Sequence, residues 1–245
     1  MALIVAIVGR YRRRARARRG ELFRSLFVIT PDQRVLDLGS EDGTAFHSLG
    51  VEAQVTIADI DAEAVRRGAE RYGYEPSVLP ESGRLPFSDH QFDVVYCSSV
   101  IEHVTGISKE QTFDVRGPEF RIRACETQQA FANEIRRISK RYFVQTPARS
   151  FPVESHTWLP FVGWLSHGVQ TKIIKGSNRW WVKKTQPDFH LLNSSDMKRL
   201  FPDARLYYER SAGMVKSIIA VGPSRLAELH EGDERIGLHG KRSRH

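Results

Sequence analysis

Three groups of residues in this sequence combine types and spacings that can do chemistry. The first is Val35-Leu36-Asp37-Leu38-Gly39-Ser40-Glu41-Asp42-Gly43-Thr44, an apolar run carrying an acid that breaks at two glycines four apart. Such a string predicts a buried strand, a tight turn and the opening of a helix. Gly39 lets backbone approach a ligand, and the helix start offers unpaired N–H groups. Further on, Val55-Thr56-Ile57-Ala58-Asp59 reads as a second buried strand ending in an acid, the placement that receives ribose hydroxyls in dinucleotide folds. Glu41 stands where a G-x-G-x-G turn would have its middle glycine, and no basic cluster adjoins it. A carboxylate there repels a diphosphate and tolerates a cationic ligand such as a sulfonium with an amino-acid tail.

The second group is Glu102-His103, just after a predicted strand over Phe92 to Cys97. Histidine suits removal of a proton near neutral pH, so His103 is the first candidate base, or else a residue that caps a helix or lines a loop. The third group is Glu154 and His156, two apart within TPARSFPVESHTWLP. They suit a base with its orienting carboxylate, a grip on sugar hydroxyls, or a hydrogen-bonded tie for an irregular loop.

Taken in order, VLDLGSEDG, ADID, Leu85-Pro86-Phe87 followed by Phe92-Asp93-Val94-Val95, and Ile101-Glu102-His103-Val104 resemble the class I S-adenosylmethionine-dependent methyltransferases. The likeness is to the broad family related to the ubiquinone and menaquinone biosynthesis methyltransferases. It covers residues 35 to 104 and continues more weakly to about Val221. The resemblance implies S-adenosyl-L-methionine as cofactor, held by Asp37, Gly39, Ser40, Glu41, Gly43, Asp59 and Ile60. It places Glu81 and Ser82 toward the adenine, and Cys97 and Ser98 at the carboxyl end of the fourth strand, where Cys97 is equally a packing residue. Glu41 is the departure from the family pattern and bears on the methionine-tail pocket.

Some ubiquinone-type relatives use an acid and a histidine at Glu102-His103 for a divalent ion, but the first acid of their string falls here on Ser99, and no metal is expected. Enzymes that methylate exocyclic amines of bases resemble one another in an Asn/Asp-Pro-Pro-aromatic string where this chain has Cys97-Ser98-Ser99-Val100, which argues against nucleic acid. The TP-x-x-x-FP-x-E-x-H-x-x-LP string resembles a subgroup associated with envelope polysaccharide, glycolipid or secondary-metabolite synthesis. O-methylation of a small-molecule, glycan or glycolipid hydroxyl is therefore expected, with His103, His156 and Glu154 as catalytic candidates. The alternatives are a non-catalytic cofactor-binding scaffold near a membrane and, third, an RNA methyltransferase.

The elements that must position these residues read as a doubly wound α/β Rossmann-like sheet, mostly parallel with one antiparallel strand and helices on both faces. Expected boundaries are a basic N-terminal extension and helix over 1–30, a methyltransferase domain over 31–223 and a mobile polar tail over 224–245. An acceptor cap is expected at about 105–125 and 147–190, the first part being a charged loop ahead of a helix over Glu126 to Ile138. Asp61 should cap a helix through Ala62 to Tyr72, and Ser194 or Ser195 one running to Phe201. The 245 residues suffice for one such domain, and two cysteines permit neither a disulfide framework nor a four-cysteine zinc site, so a reducing cytoplasm is expected. Of the net charge of +8, nearly all falls in residues 10–24, which hold eight arginines and one glutamate. That concentration reads as a solvated run or as a peripheral contact with an anionic membrane, rather than the spread basic face of a nucleic-acid enzyme.

Overall fold

Seven strands make one sheet: β1 (Arg34–Leu38), β2 (Gln54–Asp59), β3 (Glu75–Val78), β4 (Val94–Ser98), β5 (Tyr142–Pro147), β6 (Arg205–Ser211) and β7 (Met214–Gly222). The computed structural model describes residues 2–39, 41–81, 83–108 and 111–224, with side chains from residue 14 onward. The expected tail from residue 225 lies outside these. The order is β3-β2-β1-β4-β5-β7-β6, with the first five strands parallel and β7 antiparallel to both of its neighbours. Val35, Leu36, Leu38, Val94 and Val95 are fully buried, as central parallel strands covered on both faces require. β1 pairs with β2 on one side and β4 on the other. The strand order thus reverses there, and a crevice opens at the carboxyl ends of these strands.

Helix α1 (Ala2–Leu26) is one continuous helix of 25 residues. Phe23 and Phe27, one turn apart, are buried and stack at 4.9 Å, and Phe23 meets Tyr96 and Phe143 edge-on. Burying each ring contributes roughly 1.5–3 kcal/mol. One turn before Phe23, Arg19 donates to Ser98 Oγ at the carboxyl end of β4; one turn after it, Phe27 lies under Arg141, ahead of β5. The helix therefore runs against the strands, with its N-terminal half toward the crevice edge.

The helix after the glycine turn, α2 (Thr44–His47), is a single turn, because Gly50 (φ 64°) and the loop after it leave early for β2. One turn does not align a useful helix dipole. Helix α3 (Ala62–Tyr72) starts at Asp61, whose carboxylate accepts from the Ala64 N–H at 3.0 Å. Helix α4 (Gly117–Ile138) begins nine residues before Glu126. Pro118 opens this helix instead of breaking it, since a first-turn proline loses no hydrogen bond. The expected cap loop over 105–125 is correspondingly shorter. Helix α5 (His167–Ser177) lies in the cap, and α6 (Ser194–Leu200) starts at a capping box between Asn193 and Asp196 rather than at a serine. Among the described residues no helix is long and apolar enough to cross a membrane.

Candidate active site

At the end of β1 the chain turns through Gly39 (φ 76°), whose N–H donates to the Ala58 carbonyl at 2.7 Å. A Cβ on Gly39 would lie 2.6 Å from Val100 Cγ1. The glycine is thus demanded by the protein's own packing. Glu41 is exposed and left-handed (φ 59°), and its N–H donates to Asp59 Oδ2 at 2.9 Å. The Asp61 N–H donates to Asp59 Oδ1 at 3.0 Å. A carboxylate has about four acceptor positions, so Asp59 pins both turns and keeps capacity for hydroxyl donors. Beside it, Ile60 and Val78 are 58% and 54% exposed, apolar side chains left uncovered at the ends of β2 and β3. Gly43 (φ 71°) starts α2, Asp37 is fully buried in β1, and Glu81 is exposed.

Ser40 and Ser82 lie outside the described residues. The Cys97 side chain is wholly buried in the core with Leu36 and Val144, as the packing alternative had it, and burial pushes its thiol well up. Ser98 Oγ accepts from Arg19 at 2.9 Å and donates to Gln145 Oε1 at 2.7 Å, so its hydroxyl serves the fold. What remains is a rim of three carboxylates, Glu41, Asp59 and Glu81, two exposed aliphatic side chains and a turn without basic residues. That set fits a ligand with hydroxyls, a flat apolar ring and positive charge.

The second and third groups of the sequence converge on the same edge. Glu102 and His103 form a 3-10 turn after β4, and His156 is brought beside them by the irregular chain after β5. The imidazoles of His103 and His156 meet edge to face with centroids 4.7 Å apart, and His156 stacks on Phe189 at 4.4 Å. Each histidine has a carboxylate on Nδ1: Glu154 Oε1 at 2.6 Å for His156, and Asp188 Oδ1 at 3.5 Å for His103. Burial raises the Glu154 carboxyl, but the His156 imidazole and the N–H groups of His156 and Thr157 outweigh it and hold the group at about 2. Asp188 is likewise raised by burial and carried below its usual range by His103. The Glu154 carboxylate thus accepts from the N–H groups of His156 and Thr157 in the loop and meets the His156 ring.

Glu102 is fully buried, and its Oε2 accepts from Thr146 Oγ1 at 2.9 Å. Its Oε1 has no hydrogen-bond partner among the described residues and lies 3.9 Å from His156 Nε2. A buried carboxylate oxygen without a donor is costly, by about 1–3 kcal/mol or more. Something that donates to it, or a cation, would remove that cost. Glu102, His103 and His156 offer ligand atoms that all lie within 4.8 Å of one another, so a divalent ion has three donors here rather than the two seen in sequence. Asp188, Thr146 and Gln128, which donates to the carbonyls of Ile101 and His190, were not visible as site residues. No local spacing links them to His103 or His156.

Comparison with protein families matches residues 36–142 to a methyltransferase domain. Among solved structures, a chain of the complex between the Haloferax volcanii Trm112 methyltransferase activator and a methyltransferase aligns at 13% identity and TM-score 0.50, covering 87% of this chain and 91% of that one. A Pyrococcus horikoshii protein aligns at 14% identity and TM-score 0.48, over 86% and 89% of the two chains. An Aquifex aeolicus SAM-dependent methyltransferase aligns at 14% identity and TM-score 0.46, over 82% and 87%. At such identities the likeness is one of fold. A comparison with curated proteins finds no match.

Proposed function

We propose that this chain, whose residues 36–142 match a methyltransferase domain, is a class I S-adenosylmethionine-dependent methyltransferase that methylates a hydroxyl oxygen of a small-molecule, glycan or glycolipid acceptor. The observation that carries this reading is the Glu154–His156 contact at 2.6 Å with Glu102 Oε1 3.9 Å beyond the far imidazole nitrogen.

S-adenosylmethionine supplies a methyl group already activated on a sulfonium. Asp59 and Glu41 would hold its hydroxyls and positive end, Ile60 and Val78 would flank its ring, and Glu81 would stand near the adenine amino group. Glu41 accepts the cost of a left-handed backbone, of order 1–2 kcal/mol, where glycine would be free of it. That is consistent with a use for its side chain.

An alcohol must lose its proton as its oxygen takes the methyl group. With its Nδ1 hydrogen on Glu154, the imidazole of His156 would present an Nε2 lone pair toward Glu102. An acceptor hydroxyl donating to Nε2 gives its proton there. A neighbouring hydroxyl on the same acceptor donates to Glu102 Oε1, satisfying the oxygen that the fold leaves bare. Two adjacent acceptors 3.9 Å apart suit a vicinal diol, which is why a sugar or other polyol is favoured. His103, oriented by Asp188, lines the same space.

The test is methyl transfer to a panel of glycans and glycolipids, with S-adenosylhomocysteine binding measured in parallel. His156→Gln should lower the rate about 10²–10⁴-fold and leave S-adenosylhomocysteine affinity unchanged. Full activity in that variant would remove the base assignment. Activity abolished by a chelator and restored by a divalent ion would give the cluster to a metal instead.

A further inference from the structure

The cap carries an exposed surface of unusual composition. From residue 155 to 187 there is no aspartate or glutamate, while Lys172, Lys175, Arg179, Lys183 and Lys184 are all basic. Large apolar side chains in the same segment face solvent: Trp180 is 72% exposed, Phe161 52% and Trp164 51%. Leu165, Val169, Lys172, Gly176 and Trp180 follow each other at intervals of three or four. That spacing lays them along one side of α5 and its flanks. Leu165, Lys172 and Trp180 line one open groove of about 480 Å³, and Phe161 packs on Trp164 at 4.9 Å next to Leu165. Phe161 holds this position from a left-handed backbone (φ 62°), so the exposure of its ring comes from the turn that the fold imposes.

A soluble face of this kind has few physical explanations. Monomers rarely leave several large aromatic side chains together in water. A protein partner would fit the aromatics, but lysine is depleted at protein interfaces. Aromatic rings interleaved with lysines, with no acid among them, match the boundary of an anionic bilayer: the rings sit at headgroup depth and each lysine gains from the negative surface.

We propose that the cap docks on an anionic lipid bilayer through Phe161, Trp164 and Trp180, with Lys172 and Lys175 against the headgroups. The cap follows β5, on the edge where Glu102 and His156 converge. Docking by this surface therefore brings a membrane-borne amphiphile to the site, and the acceptor is a glycolipid or another polyol carried on a lipid. The docking surface stands by itself; the choice of acceptor rests on the function proposed above.

All four tryptophans, Trp158, Trp164, Trp180 and Trp181, lie in the cap, so intrinsic fluorescence reports this surface and not the arginine-rich α1. The full chain is titrated with vesicles of phosphatidylglycerol and phosphatidylcholine whose acyl chains are brominated, and with vesicles of phosphatidylcholine alone. Quenching is expected with the anionic vesicles, to be reversed by salt, and to be absent with the neutral ones. Lys172→Glu combined with Lys175→Glu should weaken binding at least about 25-fold, taking about fivefold for each charge. Trp180→Ala should reduce the quenching without altering the S-adenosylhomocysteine affinity of the same sample. Vesicle binding without quenching, or binding insensitive to the two lysines, would overturn the proposal and leave α1 as the contact. Loss of S-adenosylhomocysteine binding in the wild type would instead strike the enzyme reading, independently of the vesicles.

Discussion

Replacing Glu154 by glutamine tests whether an ionised carboxylate holds the loop that carries His156. In the folded chain Glu154 is 2% exposed and its carboxyl is held at about 2, against 4.5 for the free group. At 1.36 kcal/mol for each pH unit, that difference is worth about 3 kcal/mol of stability at pH 7. A carboxyl with a depressed folded value contributes in full above its unfolded value and loses the contribution as pH falls through the folded one. The window here runs from about 4.5 down to about 2, and by pH 3 about half of the contribution should remain. Glutamine keeps the size but turns one oxygen into a donor, which would face the N–H of Thr157 or the N–H and ring of His156. Urea unfolding of wild type and Glu154→Gln at pH 7 and pH 3 should therefore show a destabilisation of about 3 kcal/mol at pH 7 that shrinks by about half at pH 3. A difference of the same size at both pH values would show that the loop is held by shape alone. A difference below about 0.5 kcal/mol at pH 7, the usual range for a neutral surface change, would refute the assigned hydrogen bonds.

Asp59→Asn should weaken S-adenosylhomocysteine binding at least about tenfold, since a charged acceptor is lost and the Glu41 turn loosens with it; calorimetric titration that gives wild-type affinity would move the cofactor away from the end of β2. Gly39→Ala should cost about 2–4 kcal/mol, from left-handed strain together with overpacking against Val100. Val100→Ala in the same chain should recover part of that loss in thermal unfolding, and the absence of recovery would mean that backbone strain alone makes the glycine necessary.

The central strands were legible because a central parallel strand is a short, nearly continuous apolar run, as in Val35 to Leu38 and Val94 to Cys97, whereas their order in the sheet was not. Asp61 as a helix cap was legible for a local reason, its carboxylate three residues before the N–H it accepts. The start of α4 was not, because Gly117-Pro118 reads equally as a break or as an opening, and the buried face of Phe120 and Ala124 decides between them. In the candidate site each pair was visible as a pair: Glu102 with His103, Glu154 with His156. Their meeting was not visible, since it depends on how the chain after β5 folds back over the end of β4. Asp188 is the extreme case, an acid that meets an imidazole 85 residues earlier in the chain.

Arg19 belongs by sequence to the arginine run and by structure to the domain. Its guanidinium bridges Ser98, at the end of β4, and Glu209, on the far edge strand, and Glu209 in turn meets Lys216. Truncation is the natural way to ask what the basic arm does, and a cut at residue 20 would remove this bridge together with the charges. Such a protein would lose a clamp across three strands as well as its arm, and a change in its behaviour could not be credited to electrostatics. A cut ahead of Ala15, which is still buried, takes Arg10, Arg12, Arg13 and Arg14 and spares the clamp. The dividing line between appendage and domain thus falls inside a single helix, and only a deletion placed on its outer side separates the two.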